Sequence, residues 1–290
     1  MSQYQPSRFW ERTHAAVENQ NVIDGFAIRS AGGGASGDEA RYLYKLRRRA
    51  LGLALRKAKA PRSNNSSVNV FEFGCGSGYW LTQLPTLLGC VGFSYTGADI
   101  SPTAIRRLQA HYLNSAFVCI ADNGQAWAQV ESGAPFNLTL AIDVLYRITD
   151  DAVWRDTLRR LVQLTSPEGF FIFSVYGFAQ VQEHAKKRHV KHRPLQMCLD
   201  ELDQFDMSVV AVMPKFYFFN RIKYGSWKHH SRLVSAIWSI ADRCPVVMHL
   251  LYMLDSQIIR VVRPMNPRCK ARFFVCRRLE GTVDQPNELA

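Results

Sequence analysis

The chain has 290 residues, 47% hydrophobic and 21% charged, a balance that excludes disordered, collagen-like and coiled-coil proteins and gives room for one large domain or two small ones. Thirty-six Lys and Arg against 24 Asp and Glu give a formal charge of +12, which favours nucleic acid, anionic lipid or an acidic small molecule as a partner without choosing among them. The seven cysteines form no C-x-x-C pair, the opening MSQYQPSRFWERTH lacks a secretory pattern, and no run approaches the ~20 apolar residues of a membrane span, so a cytoplasmic protein is expected.

The first 30 residues are mixed, and AGGGASG at 31–37 reads as a flexible loop. From 38 to 59, Leu43, Leu46, Ala50 and Leu53 recur at helical spacing while arginines and lysines fill the rest, which predicts an amphipathic, strongly basic helix. PRSNNSS at 61–67 is a linker, so residues 1–67 are expected to form a helical extension. Beyond it short apolar runs alternate with helical patterns. Strands are predicted at 68–73, 95–99, 116–121, 137–142 and 169–175, and helices at about 79–88, 102–113, 124–130 and 150–165. Ser101-Pro102 suits a helix N-cap and first turn, and Ser166-Pro167-Glu168-Gly169 suits a tight turn entering a strand. A helix at 195–205, a strand at 207–213 and a last, antiparallel strand at 270–277 extend the sheet. A helical, aromatic insert at 214–265 precedes that last strand, and 279–290 reads as a flexible tail. The alternation predicts an α/β fold with a mostly parallel, doubly wound sheet occupying 68–278.

The informative stretch is VNVFEFGCGSGYW at 68–80, where a strand carrying Glu72 runs into Gly74-Cys75-Gly76-Ser77-Gly78 and then a helix. Glycines at i, i+2 and i+4 let backbone pass close under a nucleotide-like ligand, since a Cβ would fill that space. A dinucleotide fingerprint would need glycine at 79, which is Tyr, and no Gly-Lys-Ser or Gly-Lys-Thr of a P-loop is present.

E-x-G-x-G-x-G at 72–78 resembles motif I of class I S-adenosylmethionine-dependent methyltransferases, and the resemblance spans about 68–213. It implies a seven-stranded Rossmann-like sheet with S-adenosylmethionine as cofactor. Glu72, Gly74, Cys75, Gly76 and Gly78 would then form the cofactor loop. Asp99, 21 residues after Gly78, would accept from the ribose hydroxyls, and Ile100 would pack on the adenine. Asp122 and Asn123 would meet the adenine amino group, and Asp143 would lie beside the methionine part.

Methyl transfer to oxygen or nitrogen is an in-line displacement that depends on alignment and exclusion of water, and a base is optional. Asp143-Val-Leu-Tyr-Arg147 is similar to a D-V-L-Y-H pattern in bacterial relatives associated with glycan synthesis, with Arg147 in place of the final His. A guanidinium cannot act as an ordinary proton acceptor, but it can hold a carboxylate or phosphate of the acceptor. His189-Val190-Lys191-His192-Arg193 resembles an H-V-R-H-R segment of the same relatives, which makes His189 or His192 a candidate base. The same stretch also reads as a solvated basic loop, and neighbouring cations argue against a metal there. The expected acceptor is a small molecule or glycan, acidic or lipid-linked. Two alternatives stand beside it: an RNA methyltransferase using the basic helix at 38–59, and a cofactor-binding protein without catalysis.

Overall fold

The computed structural model describes residues 5–16, 37–60, 67–89, 92–120, 124–176, 182–184, 187–217, 219, 232–241, 243–266, 269 and 271–278. Two helices come first, α1 (Pro6–Ala15) and α2 (Gly37–Lys57). β1 (Ser67–Phe73), α3 (Tyr79–Leu88), β2 (Gly92–Asp99), α4 (Pro102–His111), β3 (Ala116–Cys119), α5 (Gly124–Glu131) and β4 (Phe136–Ala141) follow in strict alternation. A 3-10 turn at Leu145–Arg147 leads to α6 (Asp151–Leu164), β5 (Thr165–Tyr176) and a hairpin of β6 (Gln182–His184) and β7 (Lys187–His192). The chain then forms α7 (Leu195–Asp203), β8 (Met207–Pro214), α8 (Arg232–Ala241), α9 (Pro245–Val261) and β9 (Ala271–Arg278).

Seven strands make one sheet in the order β3-β2-β1-β4-β5-β9-β8, parallel from β3 to β5, with β9 antiparallel to both its neighbours. The parallel strands are hydrophobic nearly throughout because both faces are covered. Val68 and Val70 of β1 pack with Trp80 and Leu84 on one face, while Phe71 and Phe73 pack with Phe136, Trp154 and Leu158 on the other. Chain direction across the sheet reverses between β1 and β4, the switch point outside which open α/β sheets bind ligands. Register brings the ends of these strands to one rim, with Glu72 opposite both Gly97 and Leu140, and Asp99 opposite Cys119.

Several boundaries differ from the sequence reading for local reasons. The segment Ser166–Gly169 lies inside β5, but the pairing jumps from Phe136–Thr165 to Leu138–Phe170, so these four residues loop out of the ladder. Pro167 has no N–H to give that ladder, which is why the turn signal and the strand coexist. Ser101 caps α4 as its sequence indicates, its Oγ accepting from the Ala104 N–H at 3.2 Å. Asp150 caps α6 by accepting from the N–H groups of Ala152 and Val153. The sequence at 184–193 also reads as a basic loop, whereas Gln182–His184 and Lys187–His192 pair as antiparallel strands. Helix α1 falls within the helical extension expected at 1–67, where the sequence sets helix bounds only at 38–59. The expected glycine loop at 31–36, most of the 61–67 linker and the tail at 279–290 lie outside the described residues.

Candidate active site

A cavity of about 390 Å³ opens at the carboxyl rim where β1 and β4 diverge. Its floor is the turn after β1. Gly74, Gly76 and Gly78 all have φ between 53° and 77°, the left-handed region where a Cβ is penalised. A Cβ on Gly74 would lie 2.5 Å from Val144, and one on Gly78 would lie 2.6 Å from Leu108. At these two positions glycine answers to backbone conformation and to the side chains of Val144 and Leu108, beside the clearance for a ligand expected from the sequence. Gly74, Cys75 and Gly76 line the cavity, and Gly78 does not.

Asp99 and Ile100 form the adjoining wall. The Asp99 carboxylate accepts from the N–H of Gly76 at 2.9 Å and of Ser101 at 2.9 Å, so it is fixed in place with lone pairs remaining for two hydroxyls. Glu72 also lines the cavity and accepts from the Tyr95 hydroxyl. Burial pushes its pKa up to about 8, against the hydrogen bond from Tyr95 and with the help of the Asp99 charge. Asp122 and Asn123 lie outside the described residues; the neighbouring Ile120 lines the cavity.

Asp143 ends β4 and lines the opposite wall, but it is not a solitary acid. Its backbone has φ 59°, and its N–H donates to Ser174 Oγ at 2.8 Å. One carboxylate oxygen accepts from the ammonium of Lys215, and the other lies 3.5 Å from the guanidinium of Arg47. Burial opposes the charge on Asp143, but Lys215 and Arg47 outweigh it and hold the carboxyl well below the ordinary range. Lys215 is fully buried, which pulls its pKa down to about 8 despite the Asp143 charge. Arg47 stacks on Tyr44, and both side chains line the cavity. Sequence reading counted Arg47 among the basic residues of α2 available to phosphates. Its guanidinium instead faces inward, because its position shares the buried stripe with Leu43 and Leu46.

Helix α1 forms the roof. Pro6, Trp10 and His14 line the cavity. The helix is tied down by Glu11, whose carboxylate accepts from Ser101 Oγ at 2.6 Å, the Thr103 N–H at 3.1 Å and the Thr103 hydroxyl, all at the N-terminus of α4. Burial raises the Glu11 pKa, but these hydrogen bonds and Arg106 outweigh it and set it below the usual value. That tether is present at neutral pH and is lost as acid protonates Glu11. Glu11→Gln is expected to cost about 1 kcal/mol of α1 docking, roughly fivefold more opening. Faster amide exchange over residues 6–15, with exchange in the β5 and β9 strands unchanged, is the measurement that checks this.

The three residues considered for acceptor chemistry part company. Arg147 lines the cavity, its guanidinium 5.0 Å from the ring of Trp10 and 4.8 Å from that of Tyr146. Among the described residues no carboxylate pairs with it, and its buried Nε has no hydrogen-bond partner. His192 is buried behind the wall, its ring 5.2 Å from Tyr146 and 5.0 Å from Tyr176. His189 lies outside the roof, stacked on Phe9 of α1 at 4.3 Å. Neither histidine is part of the cavity lining. The cause is the β6–β7 hairpin, which is pinned to the start of α6 by Lys191 and Arg193 on Asp151. Arg193 also donates to the carbonyls of Ile148 and Asp150 and stacks on Trp154 at 4.6 Å. Sequence reading missed Trp10, His14, Arg47 and Lys215; the signal available for α1 was Pro6 opening a segment with Phe9 and Trp10, followed by His14 one turn later.

A nucleoside sulfonium fits these residues: a left-handed glycine loop, a fixed acid at the end of β2, an apolar strip at Ile100 and Ile120, and Arg47 and Asp143 on the cavity wall with Lys215 buried behind them. Residues 40–204 match a family described as a methyltransferase domain. No curated protein matches the sequence. Among solved structures, magnesium protoporphyrin IX methyltransferase from Synechocystis PCC 6803 with bound SAM is 11% identical, aligns over 96% of this chain and 100% of its own, and gives a TM-score of 0.50. The N-methyltransferase NodS from Bradyrhizobium japonicum WM9, in complex with S-adenosyl-l-homocysteine, is 18% identical over 72% of this chain and 89% of its own, with a TM-score of 0.46. The 1,6-didemethyltoxoflavin-N1-methyltransferase from Burkholderia thailandensis is 13% identical over 97% and 93%, with a TM-score of 0.44. At 11% identity the likeness to the Synechocystis enzyme is one of fold. More than half of the chain lies within the family match, and with motif I in place it belongs to the class I S-adenosylmethionine-dependent methyltransferases.

Proposed function

We propose that this enzyme methylates an oxygen or nitrogen of a small organic or glycan-type acceptor that carries a carboxylate or phosphate. The observation that carries this reading is Arg147, a cation on the cavity wall with aromatic rings beside it and no acid paired with it among the described residues. A permanently charged fork in a half-buried wall favours a planar or tetrahedral oxyanion on the ligand.

S-adenosylmethionine supplies an electrophilic methyl group on a sulfonium. The 74–78 loop, Asp99 and Ile100 are assigned to its adenosyl part. The Arg47–Asp143–Lys215 cluster holds one more positive than negative charge, which suits the carboxylate of its methionine end. Trp10, Tyr44, Tyr146 and Trp127 exclude water and align the acceptor. His189 and His192 are assigned to support, one through Phe9 of α1 and the other through Tyr146. An amine acceptor has to lose one proton to water before its lone pair attacks the methyl group, and no histidine base at the reacting atom is needed for that.

Incubating the enzyme with methyl-labelled cofactor and cell extract, followed by mass spectrometry, should reveal a product that gains one labelled methyl and retains an anionic group. With that acceptor, Arg147→Ala is expected to raise KM about tenfold or more through loss of a charge-assisted contact, with cofactor Kd unchanged. A neutral acceptor, or an unchanged KM, rejects the reading.

A further inference from the structure

The net charge is concentrated at one end of the sequence. Residues 207–279 hold thirteen Lys and Arg against two acids, Asp242 and Asp255, and so carry +11 of the chain's +12. Asp255 turns inward, accepting from the N–H groups of Tyr217 at 2.6 Å and Phe219 at 3.0 Å. The outer side of its helix, α9, is mostly apolar: Val246, Leu250, Met253, Leu254 and Val261 are all exposed, Val261 by 82%, and fall within an arc of about 100° at 3.6 residues per turn, in which the exposed Gln257 is the one polar side chain. Ile240, on the neighbouring α8, is exposed as well. Arg243, Arg260 and Arg263 are exposed before, within and beyond α9.

An apolar stripe with a single polar interruption and a rim of cations differs from apolar residues scattered singly over a surface. A second copy of this chain would bring the same arginine rim against itself, so like charges would meet across a two-fold contact. An anionic lipid surface satisfies both features, with hydrocarbon entering the acyl boundary and arginines meeting headgroup phosphates. We propose that the outer face of α9, with α8 beside it, docks the enzyme on anionic membranes with α9 lying in the plane of the interface. None of the described helices is long and apolar enough to cross a bilayer, so the attachment is peripheral. α9 packs on α2, which presents Tyr44 and Arg47 to the cavity, so one helix separates the membrane face from the active site.

The test is flotation of the full chain with vesicles of phosphatidylcholine alone or mixed with phosphatidylglycerol. The wild type is expected to bind the anionic vesicles about tenfold more than the neutral ones at about 0.1 M salt, and less as salt rises. Leu250→Glu with Leu254→Glu should lower binding about tenfold or more, and Arg260→Glu with Arg263→Glu should abolish the preference for anionic lipid. Circular dichroism melting establishes that each variant is folded; if the leucine pair fails to fold, the arginine pair decides. No binding by the wild type, or equal binding by folded variants, overturns the proposal. So does light scattering that shows a dimer which the leucine pair converts to monomers without any vesicle binding.

Discussion

Asp143→Asn is expected to lower stability by about 3–5 kcal/mol, the usual cost of leaving a buried charge without its partner. The substitution preserves size but leaves Lys215 and Arg47 facing each other without the carboxylate between them. Lys215→Met should cost less, because Asp143 still has Arg47 at 3.5 Å. Urea denaturation at pH 7 is the measurement, and it should place the two variants in that order. The pH dependence has a definite sign. Lys215 has a folded pKa of about 8, below its ordinary value of 10.5, so between those values the unfolded chain binds more protons and stability rises with pH. In Asp143→Asn the charge that raises the Lys215 pKa is gone, so the rise begins at lower pH and the deficit against wild type should narrow as pH climbs to about 8 and stay level above it. A deficit that is constant with pH would show that Lys215 is not the group left uncompensated.

Asp99→Ala is the second large effect, expected to weaken cofactor binding by about 1.5–3 kcal/mol, or roughly ten- to more than a hundredfold. The carboxylate is held by the Gly76 and Ser101 N–H groups, so its removal also releases the middle of the glycine loop. Titration calorimetry checks the affinity. Asp99→Asn separates the two contributions, since its amide oxygen can still accept one of the backbone hydrogen bonds but presents a poorer acceptor to ribose. An Asn variant intermediate between wild type and Ala is the expected result; wild-type affinity in the Ala variant would remove Asp99 from the cofactor site.

The parts of this enzyme written in short stretches of chain could be read directly. Strand β1, the glycine turn and α3 are contiguous, and Ser101-Pro102 states the start of α4 in two residues. Alternation of these units was enough to predict a parallel sheet with helical crossovers, because each crossover is local. The wall built by Arg47, Asp143 and Lys215 joins residues 96 and 72 positions apart, and no pattern near any of them names the others. Periodicity along α2 does place position 47 on the buried stripe of Leu43 and Leu46, but the charge suggested solvent, and only the acid at the end of β4 reverses that preference. His189 and His192 carried a suggestive motif whose direction depends on the β6–β7 hairpin and its anchor at Asp151. Helix α1 is short and lacks a side-chain N-cap, so its role as a roof rests on Glu11 reaching Ser101 and Thr103 some ninety residues away.

Val144 standing directly behind Gly74 has a consequence for how this loop could change over generations. Alanine at 74 would collide with Val144, whose Cβ alone would lie 2.8 Å away, so that exchange is closed until position 144 has lost its side chain, as in glycine. Even then a φ of 76° keeps a penalty of about 1–2 kcal/mol on any side chain there. The order of mutations therefore matters: descendants that trim Val144 first retain a working turn, whereas those that alter Gly74 first must survive both steric costs at once.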